Sequence, residues 1–310
     1  MSRVAVACGG RSLERGVSLH SGRRAARALE RLGHDVTVID VGSTFVDDLR
    51  GAAPDYVFVA LHGAGGEDGT VQDLLEIVGV PYTGSDALAS ALCLDKHLFK
   101  TVCGLHDVPT PTWHSFTRQA FADYGAAEAL HEIMSQFEQG LVVKPARQGS
   151  SMGIGIVRDE AQLRGAVLAA MSYDERVLLE QYVPGKELAV TVLGPASEPE
   201  VLPVVELLFD DPIYSFEAHY EIGRASVQAA ALADDIDARV REVAARAYSA
   251  SGCRDFARVD IRLDDNGPWV LEINTIPGLT ETGPTPLAAE FGGMSFEAFI
   301  QTVCRRVERA

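Results

Sequence analysis

Positive charge is scarce in this chain of 310 residues: 27 lysines and arginines stand against 44 aspartates and glutamates, a net charge of −17. That excludes a broad cationic face for nucleic acid or anionic lipid, and an anionic substrate would need a local basic pocket. Long apolar runs are missing too. The first, residues 4–8, is too short for a signal sequence, and nothing approaches the roughly 18 apolar residues of a membrane span. The chain is expected in the cytoplasm, with no nucleic-acid and no membrane partner. Its five cysteines (Cys8, Cys93, Cys103, Cys253, Cys304) are odd in number and form no C-x-x-C pair. Neither a disulfide framework nor a zinc knuckle fits, and reduced, packed thiols are expected. There is no G-x-x-x-x-G-K-[ST] and no strand-to-helix G-x-G-x-x-G, which excludes a Walker loop and a dinucleotide fold. What is present is 47% hydrophobic residues, enough for two or three modest globular domains and too much for disorder or fibre.

The opening third alternates short apolar runs at 3–8, 35–40 and 55–61 with a helical pattern over 17–32, as in an α/β unit with a parallel sheet. Gly9-Gly10 and the loop from His62 to Gly66 follow strands, where open α/β sheets bind ligands. A helix is expected over 85–105, and Pro109 and Pro111 mark a hinge, so a domain boundary is set near 85–111. The middle section reads as a helix (122–137), strands at 141–145 and 154–157 around a glycine-serine loop, a helix (160–171) and a strand (177–183). Strands then dominate until helices at 236–249 and 296–307. In the last of these, Cys304 falls on the apolar face and is expected to pack.

Residues 258–264 and 269–274 alternate strictly around Asp265-Asn266-Gly267, which signals a hairpin. With those three residues as the loop, Asp264 pairs with Pro268, Asp260 faces Glu272 and Arg258 faces Asn274. The reverse face (Val259, Ile261, Leu263, Trp269, Leu271, Ile273) is apolar. Two carboxylates directly opposite repel unless a cation lies between them. Oxygen-only ligands from Asp260, Glu272 and Asn274 suit Mg²⁺. The plain alternative is a solvated outer face on an ordinary hairpin. Asn274 runs on into Thr275-Ile276-Pro277-Gly278, a tight turn whose glycine lets backbone amides approach a ligand.

Lys144 ends an apolar strand and is followed by 147–155, a loop of glycines and serines able to surround phosphate. Gly149-Ser150-Ser151-Met152-Gly153 also matches a nucleophile elbow, which would make the protein a serine hydrolase with Ser151 as nucleophile and His219 as base. An elbow must run directly into a helix, whereas 154–157 reads as a strand.

Taken in order, these pieces resemble the D-alanine–D-alanine ligase family of the ATP-grasp superfamily over nearly the whole chain. The resemblance rests on Gly9 through Ser18, His62-Gly63 with Gly66-Glu67-Asp68-Gly69, residues 81–85, Asp95-Lys96, Lys144-Pro145, Gly149-Ser150-Ser151, residues 216–220, Arg258-Val259-Asp260 and Glu272 through Gly278. It implies an α/β protein of three domains, with an N-terminal parallel sheet (1–94) and ATP held between two mostly antiparallel α+β domains (95–183 and 184–310). It implies that ATP phosphorylates a D-amino acid carboxylate before a second amine attacks the acyl phosphate. Lys96, Lys144, Ser151 and His219 would hold ATP phosphates. Glu180 would accept from the adenine amine, Val183 would meet the adenine edge through its backbone, Glu187 would bind ribose, and Leu271 would line the nucleotide. Asp260, Glu272 and Asn274 would hold two Mg²⁺ ions, with Mn²⁺ a substitute. Arg258 and the Gly278 amide would stabilise the oxyanion. Glu14 would bind the first ammonium, Ser150 and Tyr220 would close a loop over the site, and His62, Glu281 and Gly283 would border the substrates. Small D-amino acids and a homodimer are the implied partners. For Glu14 the bland alternative is a carboxylate favouring its helix dipole; for His62 it is a histidine satisfied by backbone, without a catalytic role.

Two places depart from the family. His219 stands where a lysine is usual, making a fixed charge titratable. Thr280-Glu281-Thr282-Gly283 lacks the final serine of the usual stretch and adds a carboxylate, which would weaken a carboxylate site by repulsion. An acceptor other than D-alanine, or a ring closure, is therefore an alternative; with Glu281 turned to solvent, backbone amides could still hold D-alanine. A nucleotide-binding regulator without turnover is another, disfavoured because a sensor needs no oxyanion clamp.

Overall fold

The computed structural model describes residues 1–123, 126–137, 139–209 and 225–308. The first unit runs β1 (Arg3–Cys8), α1 (Arg15–Arg31), β2 (Asp35–Asp40), α2 (Phe45–Ala52), β3 (Tyr56–Val59) and α3 (Thr70–Val78). Its strands form a parallel sheet in the order β2-β1-β3. From Val4 to Cys8 the central strand β1 is wholly buried, which is why it reads as a continuous apolar run instead of an alternating one.

The helix expected over 85–105 is two helices, α4 (Ala87–Leu94) and α5 (Lys96–Leu105), broken at Asp95. Asp95 is extended (φ −81°, ψ 98°), and its carboxylate accepts from the amides of His97 and Leu98. A short acceptor that serves better as a cap than as an interior residue wins over uninterrupted periodicity. Asp95→Ala is expected to lower stability by about 1 kcal/mol in urea unfolding; an unchanged midpoint would show that the break is held by packing alone.

The second unit comprises β4 (Trp113–Thr117), α6 (Arg118–Asp123), α7 (Ala126–Ser135), β5 (Leu141–Pro145), β6 (Gly155–Val157), α8 (Glu160–Ala170) and β7 (Arg176–Gln181). The helix expected over 122–137 corresponds to the end of α6 and to α7, with residues 124–125 between them outside the described residues. Its antiparallel sheet, ordered β4-β7-β5-β6, encloses Leu141, Val143, Leu163, Val167 and Leu179. The third unit has β8 (Lys186–Gly194), β9 (Glu200–Val201), β10 (Val205–Phe209), β11 (Ala225–Ala229), α9 (Asp234–Ala250), β12 (Asp255–Asp264) and β13 (Gly267–Asn274), then α10 (Pro284–Phe291) and α11 (Phe296–Cys304). Its antiparallel sheet runs β11-β10-β8-β12-β13, with β9 on β8. Phe99 and Cys103 of α5 pack into the core of this third sheet, beside Val240, Val259 and Val270. Phe299, Ile300 and Val303 of α11 instead join the core of the first sheet. All five cysteines are free and buried, Cys304 within that same core. No helix among the described residues is long and apolar enough to cross a membrane.

The β12–β13 hairpin corrects the expected register in two places that cancel. The turn holds two residues, not three: Asp264 pairs with Gly267 and Leu263 with Pro268. Asp264 Oδ1 gathers the amides of Asn266 and Gly267 and the Trp269 indole, and Gly267 takes a φ of 131° that a side chain rarely adopts. A β-bulge then leaves Leu271 without a partner, since Ile261 pairs with Val270 and Asp260 with Glu272. Beyond the bulge the expected pairs hold, Asp260 with Glu272 and Arg258 with Asn274. The bulge also reassigns faces. Val270 goes into the core, while Leu271 turns away from the apolar face where it was expected.

Candidate functional site

A cavity of about 510 Å³ lies where the three units meet. It is walled by β5 and β7 on one side and by β8, β11 and the β12–β13 hairpin on the other, with Glu14 and His62 of the first unit at its end. Of the expected site residues, Glu14, His62, Lys144, Ser150, Ser151, Glu180, Val183, Glu187, Arg258, Asp260, Leu271, Glu272, Asn274, Gly278 and Gly283 line it. Lys96 sits behind Glu272, and Glu281 is outside. His219 and Tyr220 lie outside the described residues.

At one end, apolar Val142, Ile154, Val183 and Leu271 line the cavity together with the buried Glu180. Lys144 Nζ donates to its Oε1 at 2.6 Å, and Lys100 Nζ stands 2.5 Å from its Oε2. Burial works to raise the Glu180 pKa, yet the two lysine charges hold it below the ordinary carboxylate value. Nearby, Glu187 pairs with Arg262 at 2.9 Å. Burial, reinforced by Asp260 and Glu272, nevertheless pushes its carboxyl up to about 7.

In the middle, Arg258 grips Asp260 through two bonds of 2.7 Å, and Asn274 Nδ2 donates to Asp260 at 2.9 Å. Glu272 opposite is paired with Lys96 at 2.9 Å. The facing carboxylates are thus balanced by an arginine and a lysine, as their repulsion requires. Burial raises the Asp260 pKa in spite of Arg258. Burial acts the same way on Glu272, but Lys96 and Lys144 outweigh it and hold the carboxyl down at about 2.

At the far end, Ser150 donates to Glu14 across the seam between the first and second units. Ser150 and Ser151 both adopt a left-handed backbone (φ 49° and 56°), uncommon for residues with a Cβ and concentrated at working sites. The glycine-serine loop leads into strand β6, not a helix, so the elbow that a serine hydrolase needs is not formed. Glu14 sits at the start of α1 without capping it; its carboxylate goes to Ser150 instead. Burial raises its pKa, against the Ser150 bond. Gly63 makes room: a Cβ there would come within 2.3 Å of Glu14 Oε2, at a φ of 69°.

His62 Nδ1 meets the carbonyl of Ile276 at 2.8 Å and Nε2 meets Ser21 at 3.0 Å. Glu67 accepts from the amides of Gly63 and Ile276. Together they pin the segment that carries Pro277 and Gly278 into the cavity. Gly278 itself has no left-handed φ, and a Cβ would touch only Val17 at 3.8 Å; the turn does not depend on glycine's freedom. Burial holds the His62 ring down at about 4, below the ordinary 6.5. The folded protein keeps the ring neutral while the unfolded chain takes up a proton, so this stability is whole above about pH 6.5. It is lost as pH falls toward 4, by about 3 kcal/mol in all. Urea midpoints measured from pH 7 to 4.5 are expected to fall more steeply for the wild type than for His62→Gln. Equal slopes would assign the acid sensitivity elsewhere.

Glu281 was expected either beside a substrate carboxylate or turned to solvent. It lies exposed on the outer surface, with His20 Nε2 at 2.7 Å and Arg24 at 3.8 Å. These two partners, both on α1, hold it outward, leaving Thr280, Thr282 and Gly283 on the cavity. Sequence reasoning passed over Lys100 and Arg262 and gave Glu67, named in the family motif, no role. Lys100 repeats Lys96 one helical turn on, and Arg262 continues the alternation of Arg258 and Asp260, so both carried a periodic signal.

The C-terminal model of the D-ala D-ala ligase family matches residues 102–305, and the N-terminal model matches 46–85. The chain is 41% identical to the D-alanine–D-alanine ligase of Moorella thermoacetica over 97% of each chain. Among solved structures it resembles the D-alanine–D-alanine ligase of Bacillus anthracis complexed with ATP, with 27% identity, a TM-score of 0.82 and coverage of 100% and 98%. It also resembles the D-Ala:D-Ser ligase VanG of Enterococcus faecalis, with 27% identity, a TM-score of 0.83 and 98% of each chain covered.

Proposed function

The chain belongs to the D-alanine–D-alanine ligase family, and from that premise we propose how its own residues carry the reaction. It is an ATP-dependent ligase that joins two D-amino acids through an acyl phosphate, releasing ADP and phosphate. The observation that carries the assignment of roles is the cavity itself, which has Glu180 at one end, the Asp260–Glu272 pair in the middle and the Glu14–Ser150 contact at the other. In this reading the adenine lies among Val142, Ile154, Val183 and Leu271 with its amine toward Glu180, and Glu187 takes the ribose. Lys96, Lys144 and Ser151 hold the phosphates. Glu14 receives the ammonium of the first D-amino acid and Arg258, with the Gly278 amide, the oxyanion that forms as the second amine attacks.

The donor set fits a hard divalent cation. Asp260, Glu272 and Asn274 offer only oxygen for ligation, and the two carboxylates face each other across a hairpin, leaving further positions for phosphate oxygens and water. Mg²⁺, with Mn²⁺ as a substitute, would neutralise the triphosphate so that a carboxylate can approach it. The protein's own part is to exclude water from a reactive acyl phosphate, which the cleft between the units and the Glu14–Ser150 seam serve. Tyr220 is proposed to act in that closure, and His219 to reach the phosphates.

The outward turn of Glu281 removes the repulsion that argued for an unusual acceptor, so D-alanine is the proposed second substrate. Purified protein with ATP, Mg²⁺ and D-alanine is expected to release one ADP per D-alanyl-D-alanine, read by coupled assay and mass spectrometry. Turnover with D-serine or a D-hydroxy acid, and none with D-alanine alone, would overturn the acceptor assignment. The same reading implies a cytoplasmic homodimer serving peptidoglycan synthesis, divided at 1–94, 95–183 and 184–310 with α5 at the first seam.

A further inference from the structure

Lys100 is a fully buried lysine that the reaction outlined above does not use. Its ammonium stands 2.5 Å from Glu180 Oε2 and donates to Thr110 Oγ1 at 2.5 Å; Thr110 in turn donates to the carbonyl of Val270 at 2.8 Å. One group therefore ties α5, the β7 carboxylate and the hairpin together. Lys96 and Lys100 lie one turn apart on α5, with Lys96 reaching Glu272 in the middle of the cavity and Lys100 reaching Glu180 at its end. With Lys144 on Oε1 and Lys100 near Oε2, the Glu180 carboxylate has a cation at each oxygen. A carboxyl in an apolar pocket with only one cation beside it would be far easier to protonate.

We propose that Lys100 sets the base preference of the enzyme by fixing Glu180 as an anion that only accepts hydrogen bonds, so that it takes the 6-amino group of adenine and refuses the 6-oxo group of hypoxanthine or guanine. This rests on the reading that the adenine amine meets Glu180. An ionised carboxylate has no proton to give, and a 6-oxo group set against it would leave two acceptors facing each other in a dry site, the arrangement that gives strong discrimination. A protonated carboxyl could donate to that oxygen. Burial pushes the Lys100 pKa down to about 8, so the ammonium keeps its charge at neutral pH. Lys100 touches no part of the nucleotide in this arrangement; it is a positioning residue.

The test compares wild type, Lys100→Met, Lys100→Arg and Glu180→Gln with ATP and with inosine triphosphate, D-alanine and Mg²⁺ saturating. Lys100→Met is expected to raise KM for ATP and to lower the ATP-to-ITP ratio of kcat/KM by about tenfold or more, with KM for D-alanine unchanged. Lys100→Arg, which keeps the charge, should restore most of the ratio. Glu180→Gln, which can both donate and accept, should relax the ratio by itself. A relaxed Glu180→Gln beside an unrelaxed Lys100→Met overturns the role of Lys100 and leaves the adenine reading standing. No change of ratio in either variant overturns the adenine reading as well. Should Lys100→Met fail to fold, Lys100→Gln replaces it, and retention of the wild-type ratio there counts against the proposal.

Discussion

Replacing Glu272 by glutamine is expected to lower kcat about 1000-fold while KM for D-alanine changes by less than about threefold. The substitution is nearly isosteric, so the effect is one of charge. Glu272 is held ionised at about 2 by Lys96 and Lys144 and stands opposite Asp260 across the bulged hairpin. Glutamine removes half of the negative charge offered to a divalent cation and leaves Lys96 facing a neutral amide. The Mg²⁺ concentration for half-maximal rate is expected to rise about tenfold. Asp260→Asn should behave alike, and the double variant should lose little more than either single one, because both carboxylates serve the same ion pair. Turnover within about tenfold of wild type in Glu272→Gln would remove the hairpin from the catalytic machinery.

How far this site could be read from sequence depends on the kind of signal. Alternation along 258–264 and 269–274 was enough to pair Asp260 with Glu272, because a period of two assigns faces without any knowledge of the rest of the fold. The pairing was right through two errors that cancel, a turn one residue too long and a missed bulge at Leu271. Neither leaves a mark in a hydrophobic pattern, since a bulge adds one residue and the apolar run from Val270 to Leu271 looks the same either way. The Asp95 break was hidden by a continuous helical pattern, although an aspartate ahead of Lys96 is a cap by its chemistry. Lys100 was passed over because burial of a lysine depends on an acceptor 80 residues away in sequence, Glu180. The outward turn of Glu281 depends likewise on His20 and Arg24 of a helix in another unit. Local periodicity was legible, whereas partners contributed by distant segments were not.

Arg258→Ala is expected to lower kcat by about 100-fold to 1000-fold, with little effect on KM for ATP. Two losses combine. The guanidinium is the fixed donor proposed for the developing oxyanion, and it also grips both oxygens of Asp260 at 2.7 Å. Asp260 already has a pKa raised by burial; without Arg258 its charged form loses its strongest support and the carboxylate titrates closer to neutrality. The pH–rate profile of the variant should therefore shift its acidic limb to higher pH, which a residue acting only through packing would not do. Lysine is a poor replacement. The grip uses Nε and Nη2 of a planar fork, which one ammonium cannot reproduce, so Arg258→Lys should recover no more than about a tenth of the lost rate. Full recovery by lysine would reduce the role of Arg258 to charge alone. An unshifted acidic limb in Arg258→Ala would separate the oxyanion role from the hold on Asp260 and leave only the former.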